Sequence, residues 1–214
     1  MMLSEEIALK LLQINAIRLN PQNPFTWTSG LRSPVYCDNR LALSHPYVRN
    51  LIIEGFLDKA KLCLPLDLIA GVATAGIAYG ALVADRMKLP FAYVRGSAKT
   101  HGRQNLIEGK VDPESRVLVI EDLISTGGSS LTAVRALREH GCEVAAVIAI
   151  FQYNFNEARK KFEEAHCAFQ TLTDFLTLIE VAQRSGHIKQ SDIALLTSWY
   201  SDPNAWQANA VPNE

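Results

Sequence analysis

Residues 117–130 read Val-Leu-Val-Ile, then Glu-Asp, then Leu-Ile-Ser-Thr-Gly-Gly-Ser-Ser. An apolar run this dense and rich in β-branched residues belongs to a strand covered on both faces. The glycines and hydroxyl residues that follow suit a tight bend. Leu131, Val134 and Leu137 then continue as one face of a helix. Strand, bend and helix in that order make one unit of an α/β sheet, and the pattern recurs along the chain. Strands are predicted at 67–72, 91–95, 116–121 and 143–151, and helices at 76–88, 128–140 and 155–166. Apolar strands separated by helices predict a mainly parallel sheet flanked by helices on both faces.

The flanks are less regular. Ser4 can cap a helix whose first turn carries Glu5 and Glu6 and whose apolar face is Ile7, Leu11 and Ile14. Residues 25–38 place aromatic and β-branched residues around Ser29-Gly30 and predict a hairpin. A helix is predicted from about His45 to Leu62, and two more over 173–200. Residues from Asn204 on read as a frayed end. The chain has 214 residues, 48% hydrophobic and 20% charged, without repeat or linker, and reads as a single domain spanning 1–214.

Several function classes are disfavoured at once. A formal net charge of -1 gives no overall attraction to nucleic acid or to an anionic membrane, so neither is expected as a partner. Leu68 to Ala84 is uncharged and reaches the lower limit for a bilayer span. Its Ala and Gly content, with Asp67 and Asp85 at its ends, predicts a strand, a turn and a buried helix instead. Cys37, Cys63, Cys142 and Cys167 show neither C-x-x-C nor zinc-site spacing and read as buried thiols of a reducing compartment. Met1 to Ile7 carries two acids and lacks the pattern of a signal peptide. The expected location is therefore cytoplasmic, with no metal site built from side chains alone.

The chemistry concentrates at the bend. Glu121 and Asp122 are expected to emerge at the carboxyl end of their strand, the edge where open α/β sheets bind ligands. Gly127 and Gly128 leave backbone N–H groups exposed, Ser125, Thr126 and Ser129 add hydroxyls, and the helix N-terminus adds partial positive charge. That combination cradles an anion, most naturally a phosphate. It is not a Walker loop, because the spacing and the lysine are absent, and no G-x-G-x-x-G indicates a nicotinamide cofactor. The plain alternative for the glycines alone is an ordinary strand–turn–helix corner. Two acids beside an anion cradle have no reason to touch the phosphate. They can accept hydrogen bonds from vicinal hydroxyls one sugar ring away, or help hold a divalent cation. The expected ligand is a sugar phosphate, phosphate in the bend and hydroxyls on the acids. A second polar segment, 96–109, is long and punctuated by glycine, and it carries Lys99 and His101 just after Arg95. Loops of this kind are commonly functional.

The stretch Val117 to Ser130 resembles the signature of the type I phosphoribosyltransferases. Tyr93 to Gly102, with R-x-x-x-K-x-H-G spacing, resembles the catalytic loop of the orotate phosphoribosyltransferases. Phe25 to Pro34 resembles their F-T-x-x-S-G-x-x-S-P hairpin, and Gly71 to Ile77 matches the position of their diphosphate-contacting turn. The four segments cover most of residues 25–130 in the family's order.

The resemblance implies a type I phosphoribosyltransferase fold with a small N-terminal hood, formed mainly by about 1–40 plus C-terminal elements. It implies transfer of the phosphoribosyl group from phosphoribosyl diphosphate to orotate, in pyrimidine biosynthesis. Glu121, Asp122, Leu123, Ile124, Ser125, Thr126, Gly127, Gly128 and Ser129 would bind phosphoribosyl diphosphate together with Arg95, Lys99 and His101. These last three would also be catalytic, neutralising the leaving diphosphate. Ser125 and Tyr153 would contact orotate, and Mg2+ would enter mainly through the diphosphate. The family also implies a homodimer in which loop 96–109 reaches the neighbouring site. The chain departs from the fullest family pattern at Gly96, Ala75, Thr28 and Tyr153, each standing where many or some members have a basic residue. Alternatives are a phosphoribosyltransferase for another base, and a non-catalytic sensor of phosphoribosyl diphosphate; the latter would be expected to bring a DNA-binding appendage. The chain is too short to add a barrel for decarboxylating the nucleotide.

Overall fold

The computed structural model describes residues 1–27, 30–96, 106–203 and 206. The chain opens with α1 (Leu3–Gln13) and the short strands β1 (Ile17–Leu19), β2 (Phe25–Thr26), β3 (Arg32–Ser33) and β4 (Val35–Cys37). A 3-10 turn (Asn39–Ser44) leads into α2 (Pro46–Ala60). Then come β5 (Leu68–Val72), α3 (Ala75–Met87), β6 (Phe91–Val94), β7 (Ile107–Glu108), β8 (Arg116–Ile124) and α4 (Gly128–Glu139). The chain continues with β9 (Glu143–Gln152), α5 (Asn156–Glu164), β10 (Phe169–Asp174), α6 (Phe175–Arg184) and α7 (Gln190–Ser201).

Six strands form one sheet in the order β10-β9-β8-β5-β6-β7. All pairings are parallel except β6 with β7. The four predicted apolar strands are β5, β6, β8 and β9, and their alternation fills two cores. On β8, Leu118 and Ile120 join a cluster with Ile7, Phe56, Tyr79 and Trp199, while Val117 and Val119 join one with Val134, Leu137 and Phe162. Both faces are therefore buried, which is why these strands read as unbroken apolar runs.

The Ala/Gly segment after β5 is a close-packing device. A Cβ on Gly76 would lie 2.5 Å from the Ile120 carbonyl, and one on Gly71 would lie 2.7 Å from the Gly76 carbonyl. Helix α3 thus rests almost backbone to backbone on the sheet. Among the described residues no helix is long and apolar enough to cross a membrane.

Three local expectations need correction. β8 does not stop at residue 121. It pairs with β9 through Glu121↔Ala149, Leu123↔Phe151 and Ile124↔Gln152, although its pairing with β5 ends at Ile120. Backbone hydrogen bonding to one neighbour carries the strand past the end of the apolar run. The 173–200 region opens not as a helix but in β10, an edge strand whose half-covered face leaves only Leu172 and Thr173 buried. The 25–38 segment is not one continuous hairpin. β2 and β3 pair for two residues, and after Pro34 the chain turns so that β4 pairs with β1. Thr28 and Ser29 lie outside the described residues.

Candidate active site

β5 and β8 are neighbours, yet the chain leaves β5 toward β6 on one side and leaves β8 toward β9 on the other. The crevice beyond their carboxyl ends is the topological switch point of the sheet. Two bends meet there. After β5 comes Ala73-Thr74-Ala75, with a cis peptide between Ala73 and Thr74. After β8 comes Ser125 to Gly127, which opens α4. Gly127 adopts φ +79°, and a Cβ there would approach the Phe162 ring to 2.9 Å, so the bend needs glycine for two separate reasons. Gly128 faces open space.

The two adjacent acids are not equivalent. Side chains alternate along a strand, and β8 is still a strand at this point. Glu121 is 4% exposed and turned toward α4. Its Oε2 accepts from Ser129 Oγ at 3.1 Å and from Ser130 Oγ at 3.0 Å, and its Oε1 accepts from the Asp122 N–H at 3.1 Å. Burial, and then the charge of Asp122, push the Glu121 carboxyl up to about 8. Asp122 is half-buried on the opposite face, and burial raises its carboxyl too. Both acids line a cavity of about 360 Å3 together with Asp38, Arg40, the Ala73–Ala75 turn and Ser129. Ser129, expected as a donor to phosphate, here donates to Glu121.

A larger cavity, about 1040 Å3, lies alongside. Ser125 and Thr126 belong to its wall, as do Trp27, Gly30 and Leu31 of the hairpin. The segment Asn154 to Glu157 and the end of α7, with Tyr200, close the remaining sides. Behind the wall sits an aromatic cluster. Tyr153 stacks on Phe155 with centroids 5.3 Å apart, and it meets Trp27 at 5.3 Å and Trp199 at 5.6 Å. Trp27 Nε1 donates to the Val35 carbonyl at 3.0 Å, which fixes the hairpin over this cluster.

The structure thus distributes the Glu121–Ser129 segment over both cavities, Glu121, Asp122, Leu123 and Ser129 on the smaller and Ser125 and Thr126 on the larger. Tyr153, expected on the orotate side, is only 2% exposed and lies inside the aromatic cluster rather than on the cavity wall. Phe155, Asn154, Trp27 and Tyr200 are on that wall instead. Arg95 follows the end of β6, where its Nη1 lies 3.5 Å from Glu108 Oε1. Lys99 and His101 lie outside the described residues. Asn39 and Arg40 were not anticipated from sequence; they sit on a 3-10 turn, which offers no periodic signal. Among the described residues no group of three or more His, Cys, Asp or Glu side chains is arranged to hold a metal ion.

Comparisons with known proteins agree with this geometry. The phosphoribosyl transferase domain model matches residues 65–182. Orotate phosphoribosyltransferase of Bacillus caldolyticus is 51% identical over 205 residues, spanning 95% of this chain and 99% of its own length. Its counterpart from Porphyromonas gingivalis is 49% identical over 205 residues, spanning 95% and 98%. The crystal structure of orotate phosphoribosyltransferase from Aeropyrum pernix superposes with a TM-score of 0.75 at 26% identity, covering 86% of this chain and 99% of that one. An α/β sheet with its switch point occupied by an acid pair and an amide-rich bend, matched end to end by such relatives, places the chain in the orotate phosphoribosyltransferase family of phosphoribosyl transferase domains.

Proposed function

We propose that the protein transfers the 5-phosphoribosyl group of phosphoribosyl diphosphate to orotate, yielding orotidine 5'-phosphate and diphosphate in pyrimidine synthesis. The observation that carries the reading is the juxtaposition of two cavities at one switch point, a polar one holding the acid pair and an aromatic-walled one under the hairpin. The Ser125–Ser129 bend takes the 5-phosphate on exposed N–H groups at the start of α4. Asp122 accepts from a ribose hydroxyl, and Glu121 steadies it through the Asp122 N–H while anchoring Ser129 and Ser130. Orotate lies in the larger cavity against Trp27 and Phe155, within reach of Ser125.

Arg95, Lys99 and His101 neutralise charge on the departing diphosphate, and closure of loop 96–109 excludes water from the oxocarbenium-like transition state. The base nitrogen attacks C1 directly, so no enzyme nucleophile is required. Mg2+ would enter mainly with phosphoribosyl diphosphate, Asp122 would help hold it directly or through water, and the bound ion would offset charge on the leaving group. The protein works as a cytoplasmic homodimer, loop 96–109 of each subunit reaching the other's site. Its four free thiols, three of them buried, accord with a reducing compartment.

The test is direct. Purified protein is mixed with phosphoribosyl diphosphate, Mg2+ and, in turn, orotate, uracil, adenine and hypoxanthine, and base consumption is followed by absorbance. Turnover of orotate far above the others is expected. Turnover of another base with none of orotate overturns the assignment of substrate, and tight binding without turnover of any base overturns the assignment as an enzyme.

A further inference from the structure

The 360 Å3 cavity presents an electrostatic puzzle. Its lining includes three carboxylates, Asp38, Glu121 and Asp122, and one guanidinium, that of Arg40. A diphosphate approaching the Ala73–Ala75 turn meets no cation from the turn itself, since Ala75 occupies the place where many family members carry lysine. Arg95 stands beyond the end of β6 and is already beside Glu108. Arg40 is therefore the cation that the described part of this cavity contributes.

Its setting is built rather than incidental. Asp38 grips the guanidinium at two points, Nε to Oδ1 at 2.7 Å and Nη2 to Oδ2 at 2.9 Å. Asp38 also accepts the Arg40 backbone N–H, at 3.2 Å. Among the described residues this fork leaves both N–H groups of Nη1 and the second of Nη2 for another acceptor. The turn beneath is bolted to the acid strand. Asn39 is fully buried, and its Nδ2 donates to the Asp122 carbonyl at 2.8 Å. The Tyr79 hydroxyl on α3 donates to the Asn39 carbonyl at 2.6 Å, and the Asp38 N–H donates to the Ala16 carbonyl at 2.7 Å. One buried amide thus fixes the distance between Arg40 and the acid that reads the ribose. The side chain of Arg40 nonetheless remains 63% exposed, so its free edge is open to a ligand.

We infer that Arg40, oriented by Asp38 and anchored through Asn39, grips the diphosphate end of phosphoribosyl diphosphate at the Ala73–Ala75 turn, supplying the cation that Ala75 does not. The inference rests on the proposed phosphoribosyl transfer and assigns this substrate contact to a residue outside the acid pair, the bend and the 96–109 loop. Asp38 is a positioning residue, since it acts by holding the guanidinium.

The experiment uses the whole protein and three variants, Arg40→Ala, Arg40→Lys and the double change Arg40→Ala with Ala75→Lys. Calorimetry measures inorganic diphosphate with Mg2+ and, separately, ribose 5-phosphate; steady-state kinetics follow both substrates. Losing hydrogen bonds from a charged donor should weaken diphosphate binding about 10- to 100-fold in Arg40→Ala. Ribose 5-phosphate affinity should stay within about twofold, the KM for phosphoribosyl diphosphate should rise, and that for orotate should not. Arg40→Lys should retain part of the affinity, and Ala75→Lys should restore part of it to the alanine variant. Arg40 is the exposed member of its pair, while Asp38 is only 16% exposed and keeps the residue-40 backbone N–H, so a melting temperature on each variant verifies that it is folded before affinities are compared. Unchanged diphosphate affinity in Arg40→Ala, or equal losses for diphosphate and ribose 5-phosphate, overturns the inference while orotate turnover by the unaltered protein upholds the function. Absence of turnover with phosphoribosyl diphosphate still bound overturns the function, and the Arg40 comparison then stands on binding alone. Failure of the unaltered protein to bind either phosphate ligand overturns both.

Discussion

Replacing Glu121 by glutamine should change how the stability of this protein depends on pH. The carboxyl is buried between β8 and α4 and titrates near 8 instead of its ordinary 4.5. Holding a group that far from its ordinary range costs the ionised folded state on the order of 5 kcal/mol. That figure is a ceiling, because Glu121 and Asp122 share their protons and the cost belongs to the pair. The sign follows from proton counting. Between 4.5 and about 8 the folded protein keeps a proton that the unfolded chain has released, so this group's contribution to stability falls as pH rises through that window. Below it both states are protonated and nothing is lost. Glutamine does not titrate. Its Oε1 can still accept the Asp122 N–H, and the hydroxyls of Ser129 and Ser130 can rotate to accept from its Nε2. Urea unfolding of both proteins at about pH 5 and about pH 8.5, at fixed ionic strength, isolates the effect as the difference between them. The variant should gain on the unaltered protein by at least about 2 kcal/mol between the two conditions, a relative midpoint shift of about 1 M urea. A difference that stays constant within about 0.5 kcal/mol across that interval would mean that Glu121 is ionised at little cost, and the reasoning from its burial would be wrong.

The bend, the outward acid and the loop each yield a sharper test of the site. Gly127→Ala forces a left-handed backbone onto alanine and drives its Cβ toward the Phe162 ring; it should cost about 1–3 kcal/mol in thermal or urea unfolding, whereas Gly128→Ala, with open space around it, should cost far less. Asp122→Asn removes a charged acceptor for ribose hydroxyls and should weaken phosphoribosyl diphosphate more than orotate; calorimetry showing equal losses contradicts its role. Lys99→Ala should lower turnover by on the order of 10²–10³, the scale of removing one donor from a developing anion, and steady-state kinetics at the unaltered rate removes this lysine from the mechanism.

The parts of the fold legible in the sequence were those with both faces buried. β5, β8 and β9 announced themselves as apolar runs because both faces are covered along most of their length, β6 read the same way although Phe91 and Tyr93 are only half-buried, and α3, α4 and α5 fell within a residue or two of their predicted bounds. β10 escaped notice because it lies at the sheet edge, where Phe169, Gln170 and Thr171 are only partly covered and no apolar run develops. Tyr153 shows a different limit. The family resemblance put it near the base, but whether an aromatic side chain lines a cavity or supports it depends on which neighbours pack around it. Here Phe151, Phe155, Phe175, Trp27 and Trp199 enclose it. Asn39 and Arg40 were invisible for a similar reason, because a 3-10 turn gives no period and its importance comes from contacts made 83 and 40 residues away.

Glu121 and Asp122 carry the main physical lesson of the site. Two neighbouring acids look interchangeable if the strand ends where hydrophobicity ends. It does not end there, because β9 goes on pairing with β8 after β5 has stopped. Alternation then continues through the charged residues. Val119 and Glu121 point toward the side of α4, whose serines receive the buried carboxylate, while Ile120 and Asp122 point toward the side that holds α3 and the Asn39 turn. One acid therefore becomes part of the framework that shapes the bend, and the other stays on the cavity wall, where the proposed function places the sugar. Exchanging the environments would require shifting the β8–β9 register by one residue, which would also turn Val117, Leu118, Val119 and Ile120 to the wrong cores. The division of labour between the two carboxylates is thus enforced by the packing of the four residues before them.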